Sequence, residues 1–131
     1  MNHKGLIEKY YQAFNTQDVE GMLSCLHPEF IHNPNEGQAK NGKETFKSFL
    51  HYMNDHYKEN LENIVIMSDG GNNYSAKFIV NGVYLKTDGD LPEARGQKYR
   101  IPAASLFELR DGLICQVTTY YNLKDWIKTV S

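Results

Sequence analysis

Apolar residues recur at spacings of three and four in the first half of the chain, which is the period of an amphipathic helix. The first such pattern predicts a helix of about three turns, with its apolar positions at Leu6, Ile7, Tyr10, Tyr11 and Phe14. Asp18 can cap a second, short helix that ends before Pro28. After a brief strand at residues 30–33, Asn41 is expected to cap a third helix, with Glu44 completing a capping box.

The second half of the chain changes to short stretches rich in β-branched and aromatic residues. These stretches are LENIVIMS, YSAKFIVNGVYLKT, KYRIPAASLFEL and LICQVTTYYNL, and the turn signals GGNN and RDG interrupt them. They predict the strands of an antiparallel sheet. Because the helices precede the sheet, we expect an α+β fold with the helices packed on one side of a bent sheet. The loop TDGDLPEARGQ, residues 87–97, is a candidate lid or interface.

Composition narrows the class of protein. The 131 residues fit one domain, spanning residues 1–131, with 40% hydrophobic and 23% charged residues. The formal charge is −2, and the chain has no run of basic residues that could bind a phosphate backbone. No nucleic-acid partner is therefore expected. No apolar stretch suits a membrane span or a secretory signal, which predicts a cytoplasmic protein without a membrane partner. No metal-ligand spacing or phosphate-binding glycine loop is found, so no metal or cofactor is expected.

Two longer stretches resemble a known family. KYYQAFNTQDVEGMLSCLHPEFIHNP followed by NGKETFKSFL resembles the opening of the SnoaL-like polyketide cyclases and ketosteroid isomerases, in the nuclear transport factor 2-like superfamily. The resemblance continues through GVYLKTDGDLPEARGQKYRIPAASLFELRDGLICQVTTYYNLKDW, so it covers nearly the whole chain. It implies a cone-shaped, barrel-like α+β fold, in which three N-terminal helices pack on a strongly curved mixed or antiparallel sheet around an apolar cavity. It also implies a homodimer.

The resemblance places three site positions on this chain. A tyrosine that donates a hydrogen bond to the substrate carbonyl falls on Tyr10, and a phenol suits that role because it brings no full charge into an apolar cavity. The aspartate that moves the proton in steroid isomerases falls on Asn33 if one residue is inserted, and an amide cannot act as a base. The late-strand carboxyl group of those enzymes falls near Ser105. The usual route of steroid isomerisation is therefore not expected here.

Two neighbours of Asn33 could replace the missing base. His32 has the right chemistry, since an ordinary histidine pKa near 6.5 lets the imidazole take up and return a proton. Because side chains alternate along a strand, we expect Asn33 to face the cavity and His32 to lie at the rim or in an interface. Glu36, beyond Pro34, either bends over the cavity mouth or is solvated.

Further candidates lie in the second half. Tyr120 is expected to line the cavity, whereas Tyr121, of opposite parity, is expected to pack against a helix or a partner. Tyr84 and Tyr99 either add phenols to the cavity or pack in the core. Tyr84, Tyr99 and Tyr120 are thus three substrate-binding candidates. Two more, Asp88 and Arg95, bracket the long loop. They form either an ion pair or the polar groups of an epoxide-opening site.

The sequence therefore predicts a cofactor-independent isomerase or cyclase that acts by acid/base chemistry on a small apolar carbonyl compound, steroid-like or polyketide-like. A non-catalytic module that binds a small ligand or dimerises is the main alternative, since both carboxyl positions are lost. An epoxide hydrolase that uses Asp88 and Arg95 is a weaker one.

Overall fold

Residues 2–131, the part of the chain that the computed structural model describes, form four helices and six strands. The first half contains α1 (Lys4–Asn15), α2 (Val19–Leu23), β1 (Leu26–Asn33), β2 (Lys40–Asn41) and α3 (Lys43–His56). The second half contains β3 (Tyr57–Ser68), β4 (Asn73–Tyr84), β5 (Lys98–Arg110), β6 (Leu113–Tyr121) and α4 (Leu123–Val130). None of these helices is long and apolar enough to cross a membrane.

The strands form one mixed sheet in the order β2-β1-β6-β5-β4-β3. Strand β1 pairs with β6 in parallel, and the other neighbours are antiparallel. The sheet is curled but not closed, and α3 joins its two edge strands, β2 and β3. The cone-like α+β fold expected from the sequence is confirmed.

The predicted helices are present, with one difference at the start of α3. Asp18 caps α2 by accepting a hydrogen bond from the Gly21 N–H, as predicted. Gly42, not Asn41, is the N-cap of α3, because Asn41 belongs to β2 and pairs with Ile31 of β1. Gly42 suits this position because its φ of 95° lies in the region that favours glycine.

The C-terminal helix α4 was not predicted. Asn122 caps it by accepting a hydrogen bond from the Asp125 N–H. Its buried residue Trp126 packs edge-on against Tyr84, with ring centroids 4.9 Å apart, and against Tyr57 and Tyr99. The helix therefore closes one end of the curved sheet with an aromatic cluster.

The core lies between the helices and the concave face of the sheet. Alternate residues of β4 face inward and are buried, and these are Tyr74, Ala76, Phe78, Val80, Gly82 and Tyr84. On α1 the buried positions include Ile7, Tyr10 and Tyr11. The side chain of Asn15 fixes the end of α1 to β3, since it both donates to the Leu61 C=O and accepts from the Leu61 N–H.

Candidate active site

A cavity of about 610 Å³ lies between the helices and the concave face of the sheet. This volume is in the range of sites that bind small molecules. The wall is largely apolar and aromatic, with Phe14, Phe46, Phe49, Phe78, Val117 and Trp126 among its residues. Because burial of apolar surface drives association, such a wall favours a ligand with an apolar body.

The cavity wall carries several hydroxyl groups, among them those of Tyr10, Tyr11, Ser105 and Thr119. The Ser105 and Thr119 hydroxyls are 3.2 Å apart. Burial, together with the neighbouring Tyr11, raises the pKa of Tyr10 far above its ordinary value. Tyr10 therefore keeps its proton and can donate a hydrogen bond to a ligand oxygen.

His32 lines the cavity, and Asn33 does not, which reverses the predicted orientation of β1. The buried face of this strand carries Phe30 and His32, and the His32 ring packs between Phe46 and Phe49 of α3. The Asn33 amide instead donates to the Thr118 hydroxyl. Since apolar residues surround His32, burial lowers its pKa to about 4, and its imidazole is neutral at neutral pH.

Glu59 of β3 is a carboxyl group of the cavity wall that the sequence reasoning missed. Its carboxylate accepts a hydrogen bond from the Tyr99 hydroxyl at 2.5 Å. Burial raises the pKa of Glu59, and the hydrogen bond from Tyr99 partly opposes that rise. Burial and the nearby Glu59 also raise the pKa of Tyr99 strongly, so the proton of this pair stays on the phenol.

The contact between Glu59 and Tyr99 depends on a glycine. In the sheet register Glu59 is paired with Gly82, and Gly82 is paired with Tyr99, so the tyrosine reaches the glutamate across one strand. A methyl group on Gly82 would lie 2.3 Å from Cζ of Tyr99. Gly82 therefore leaves the space in which the tyrosine ring lies.

Asp88 also lines the cavity, at the start of the long loop. Its carboxylate accepts hydrogen bonds from the Tyr52 hydroxyl and, at 2.6 Å, from the Tyr57 hydroxyl. The Tyr84 hydroxyl accepts from the Asp88 N–H and donates to the Pro92 C=O. These bonds fix the loop against α3 and the sheet, so Tyr84 supports the cavity wall without lining it.

Arg95 lies away from Asp88, so neither predicted arrangement of this pair is present. The Arg95 side chain donates to the Val130 C=O at 3.4 Å, and Arg95 does not line the cavity. The carboxylate of Asp88 instead binds the phenols of Tyr52 and Tyr57. The geometry expected for an epoxide-opening pair is therefore absent from the described residues.

The predicted orientations at the end of β6 are also reversed. Tyr120 is 54% exposed on the outer face of the sheet, whereas Tyr121 lines the cavity. Val117 and Thr119 of the same strand also line the cavity. Tyr121 follows them at a spacing of two residues, so its side chain points to the same face. Tyr99 is buried behind the wall, beneath Trp126.

The charges around the cavity have one sign. Its described lining includes four acidic residues, Glu36, Glu59, Asp88 and Asp90, and no lysine or arginine. Of these, Glu36 and Asp90 are exposed and lie at the rim. A ligand that carries a carboxylate or a phosphate would therefore meet repulsion without a compensating cation.

One sequence signal could have pointed to Glu59. It stands between Tyr57 and Leu61 at a spacing of two, so a strand that starts at residue 57 places it on the same face as two buried apolar residues. An acidic residue on a buried face needs a hydrogen-bond partner, which Tyr99 supplies here.

Comparisons with known proteins identify the family and the fold. Residues 7–117 match the family model described as SnoaL-like domain. A solved structure from a Silicibacter species, described as a "putative polyketide cyclase", is 50% identical, with a TM-score of 0.96 and coverage of 98% of this chain and 95% of that chain. A second one with the same description, from Xanthomonas campestris, is 45% identical, with a TM-score of 0.94 and coverage of 98% and 96%.

A more distant structure shares the fold. An NTF2-like protein of unknown function from Burkholderia pseudomallei is 13% identical, with a TM-score of 0.79 and coverage of 100% of this chain and 98% of that chain. A comparison with curated proteins gives no match.

Proposed function

Since this chain belongs to the SnoaL-like domain family, we propose that it is a cofactor-independent isomerase or cyclase for a small, neutral, apolar carbonyl compound. The observation that carries this proposal is that a protonated phenol, Tyr10, and a half-buried carboxyl group, Glu59, line the same apolar cavity. Relatives at 50% and 45% identity that are described as polyketide cyclases support the same class of reaction.

In the proposed reaction, Glu59 removes a proton from the carbon next to the substrate carbonyl group. The electron pair of that C–H bond moves toward the carbonyl oxygen, where the Tyr10 hydroxyl stabilises the resulting enolate by a hydrogen bond. In an isomerase, the carboxylic acid returns the proton to a different carbon. In a cyclase, the enolate carbon instead attacks a second carbonyl group of the same molecule, and the new alkoxide takes up the proton.

Glu59 fits the role of base better than the two residues first predicted. His32 has a pKa lowered to about 4, so its imidazole is a weak base, and we assign it a neutral hydrogen-bonding role toward the ligand. Glu36 is exposed at the rim, where water solvates its carboxylate. The raised pKa of Glu59 makes its carboxylate a stronger base than an ordinary glutamate.

Proton exchange tests this proposal without knowledge of the natural substrate. We expect the wild-type protein to catalyse exchange of the α-hydrogens of neutral cyclic ketones, such as 2-decalone, in D₂O, followed by NMR. Loss of one oxyanion donor costs about 10²-fold or more, so Tyr10→Phe should lower the exchange rate by about 10²-fold. Tyr74→Phe is the matched control, because Tyr74 is equally buried but does not line the cavity.

The competing function is ligand binding without catalysis. It is favoured by Ser105, a cavity residue near which the resemblance places the late-strand carboxyl group of steroid isomerases, and by Asn33, which is an amide and lies outside the cavity. A wild-type protein that binds ketones in the cavity but exchanges no α-hydrogen above the background rate would support this alternative and contradict the proposed catalysis.

We also propose that the protein is a homodimer through the outer face of the sheet. Four exposed apolar side chains lie there on β3, β5 and β6, and these are Val65, Met67, Leu106 and Tyr120. The register places Met67 and Leu106 in one row across the sheet, and Val65 and Tyr120 in the next. Ser75 and Lys77 of β4 lie between the two β3 side chains and those of β5 and β6. Exposed apolar side chains grouped in this way are typical of protein interfaces.

A charge in this patch should dissociate the dimer. We expect wild-type protein to sediment as a dimer and Leu106→Lys to sediment largely as a monomer at micromolar concentration, because a buried unpaired lysine is costly. Leu85→Lys is the control, since Leu85 is 49% exposed, like Leu106, but lies outside the sheet. A monomeric wild-type protein would contradict the proposed dimer.

A further inference from the structure

The hydroxyl of Tyr11 is buried and has no hydrogen-bond partner among the described residues. The side chain is only 4% exposed, and its ring packs against Phe78 and Phe107, with centroids 5.3 and 5.8 Å away. An unsatisfied buried hydroxyl destabilises the fold, because it has lost its hydrogen bonds to water. Because Tyr11 lines the cavity, a ligand in the cavity can supply the missing partner.

Tyr10 and Tyr11 share one environment. Their rings lie edge to face, 5.5 Å apart, and both make edge-on contacts with Phe107. Phe107 is fully buried in the sheet, so it holds both rings in place. The two phenols therefore line neighbouring positions in the cavity wall, and because the Tyr11 oxygen is fully buried, a small local shift brings it into contact with a ligand.

Ser105 does not satisfy Tyr11. Its Oγ atom lies 3.2 Å from the Thr119 hydroxyl, and although it is close to the Tyr11 hydroxyl, the two groups do not meet hydrogen-bond geometry. It is near enough to oppose the rise that burial causes in the pKa of Tyr11, which nevertheless stays well above the ordinary value. Tyr11 is therefore a protonated donor next to the position where the resemblance to steroid isomerases expects a second, carboxyl donor.

We propose that the hydroxyls of Tyr10 and Tyr11 together bind a single oxygen atom of the ligand. A carbonyl oxygen has lone pairs for two donors, and an enolate oxygen accepts both more strongly. The ligand class is thus a neutral ketone whose oxygen reaches the two phenols. The catalytic meaning of this pair rests on the proposed function, whereas the binding of the oxygen does not.

Binding of a ketone and of its oxygen-free analogue tests the pair directly. The probes are 2-decalone and 2-methylenedecalin, which have the same shape and differ in one oxygen. Trp126 is the only tryptophan in the chain and lines the cavity, so its fluorescence reports binding. We expect the wild-type protein to bind the ketone more tightly than the hydrocarbon.

Tyr11→Phe should weaken ketone binding about 3- to 10-fold, the effect of one neutral hydrogen bond, and leave hydrocarbon binding unchanged. The variant should fold at least as well as wild type, because it removes an unsatisfied hydroxyl. Tyr74→Phe, outside the cavity, should change neither affinity. Because both phenols bind one atom, the effects of Tyr10→Phe and Tyr11→Phe on ketone binding should not add.

Several results would overturn the inference. These are a wild-type protein that binds neither probe or binds both equally, and a folded Tyr11→Phe protein that keeps the full preference for the ketone. Failure of the proposed function is a different result, namely ketone binding that depends on Tyr11 without exchange of α-hydrogens. Exchange that occurs normally in Tyr11→Phe, with unchanged ketone affinity, would reject only the paired phenols.

Discussion

Glu59→Gln is expected to lower the rate of α-hydrogen exchange in 2-decalone by about 10²- to 10⁴-fold, the contribution that a general base typically makes. Glutamine has nearly the same shape and still accepts the hydrogen bond from Tyr99, so the fold and the affinity for the ketone should change little. The exchange rate measured by NMR, compared with the fluorescence affinity, separates catalysis from binding. Glu62→Gln is the control, because Glu62 lies on the same strand and contacts Arg100 at the surface.

The pH profile identifies the base independently. Only the carboxylate form of Glu59 can accept a proton, so the exchange rate should rise with pH through a pKa above that of an ordinary glutamate. Tyr99→Phe removes a hydrogen bond that lowers this pKa, and the rising limb should therefore move to higher pH. If Glu59→Gln exchanged α-hydrogens at the wild-type rate, another group would be the base. The same would follow if Tyr99→Phe left the rising limb of the pH profile at its wild-type position.

His32 should make the protein less stable in acid. The folded state lowers its pKa from 6.5 to about 4, so protonation favours the unfolded chain. The stabilisation is fully present above pH 6.5 and is lost as the pH falls through about 4. The whole difference corresponds to about 3 kcal/mol of unfolding free energy.

Urea unfolding between pH 7 and pH 4 measures this effect. We expect His32→Leu to lose most of the decrease in unfolding free energy that wild type shows across this range, because leucine does not titrate. His51→Leu is the control, since His51 is exposed on α3 and should leave the pH dependence unchanged. Equal pH dependence in wild type and His32→Leu would mean that His32 is not the responsible group.

Periodicity predicted the helices well because each has a one-sided apolar pattern. The faces of β1 and β6 were harder to predict. In β1 the register shifts between Leu26 and Ile31, where Pro28 and Glu29 are both exposed, so alternation cannot be counted through the strand. In β6 both Tyr120 and Tyr121 are aromatic, and only the packing of the preceding residues decides which one faces the cavity.

The candidate site was predicted in part. The candidates Tyr10, Glu36 and Asp88 line one cavity, and so does His32, which was expected at the rim and whose role as a base depended on an ordinary pKa. The actual pKa of His32 is lowered because its ring is buried against Phe46 and Phe49 of α3. The position of this helix relative to β1 cannot be predicted from a local sequence pattern. Glu59 was missed because its partner, Tyr99, is 40 residues away and reaches it across Gly82.

The parallel pairing of β1 with β6 has a consequence for synthesis of the chain. Asn33 of β1 bonds to Thr118 of β6, 85 residues later, so one edge of β1 has no partner until nearly the whole sheet has been translated. At ordinary rates of translation this delay is on the order of ten seconds. During that time the nascent chain presents the unpaired N–H and C=O groups of this edge to solvent or to a chaperone, and completion of the fold must wait until β6 has left the ribosome.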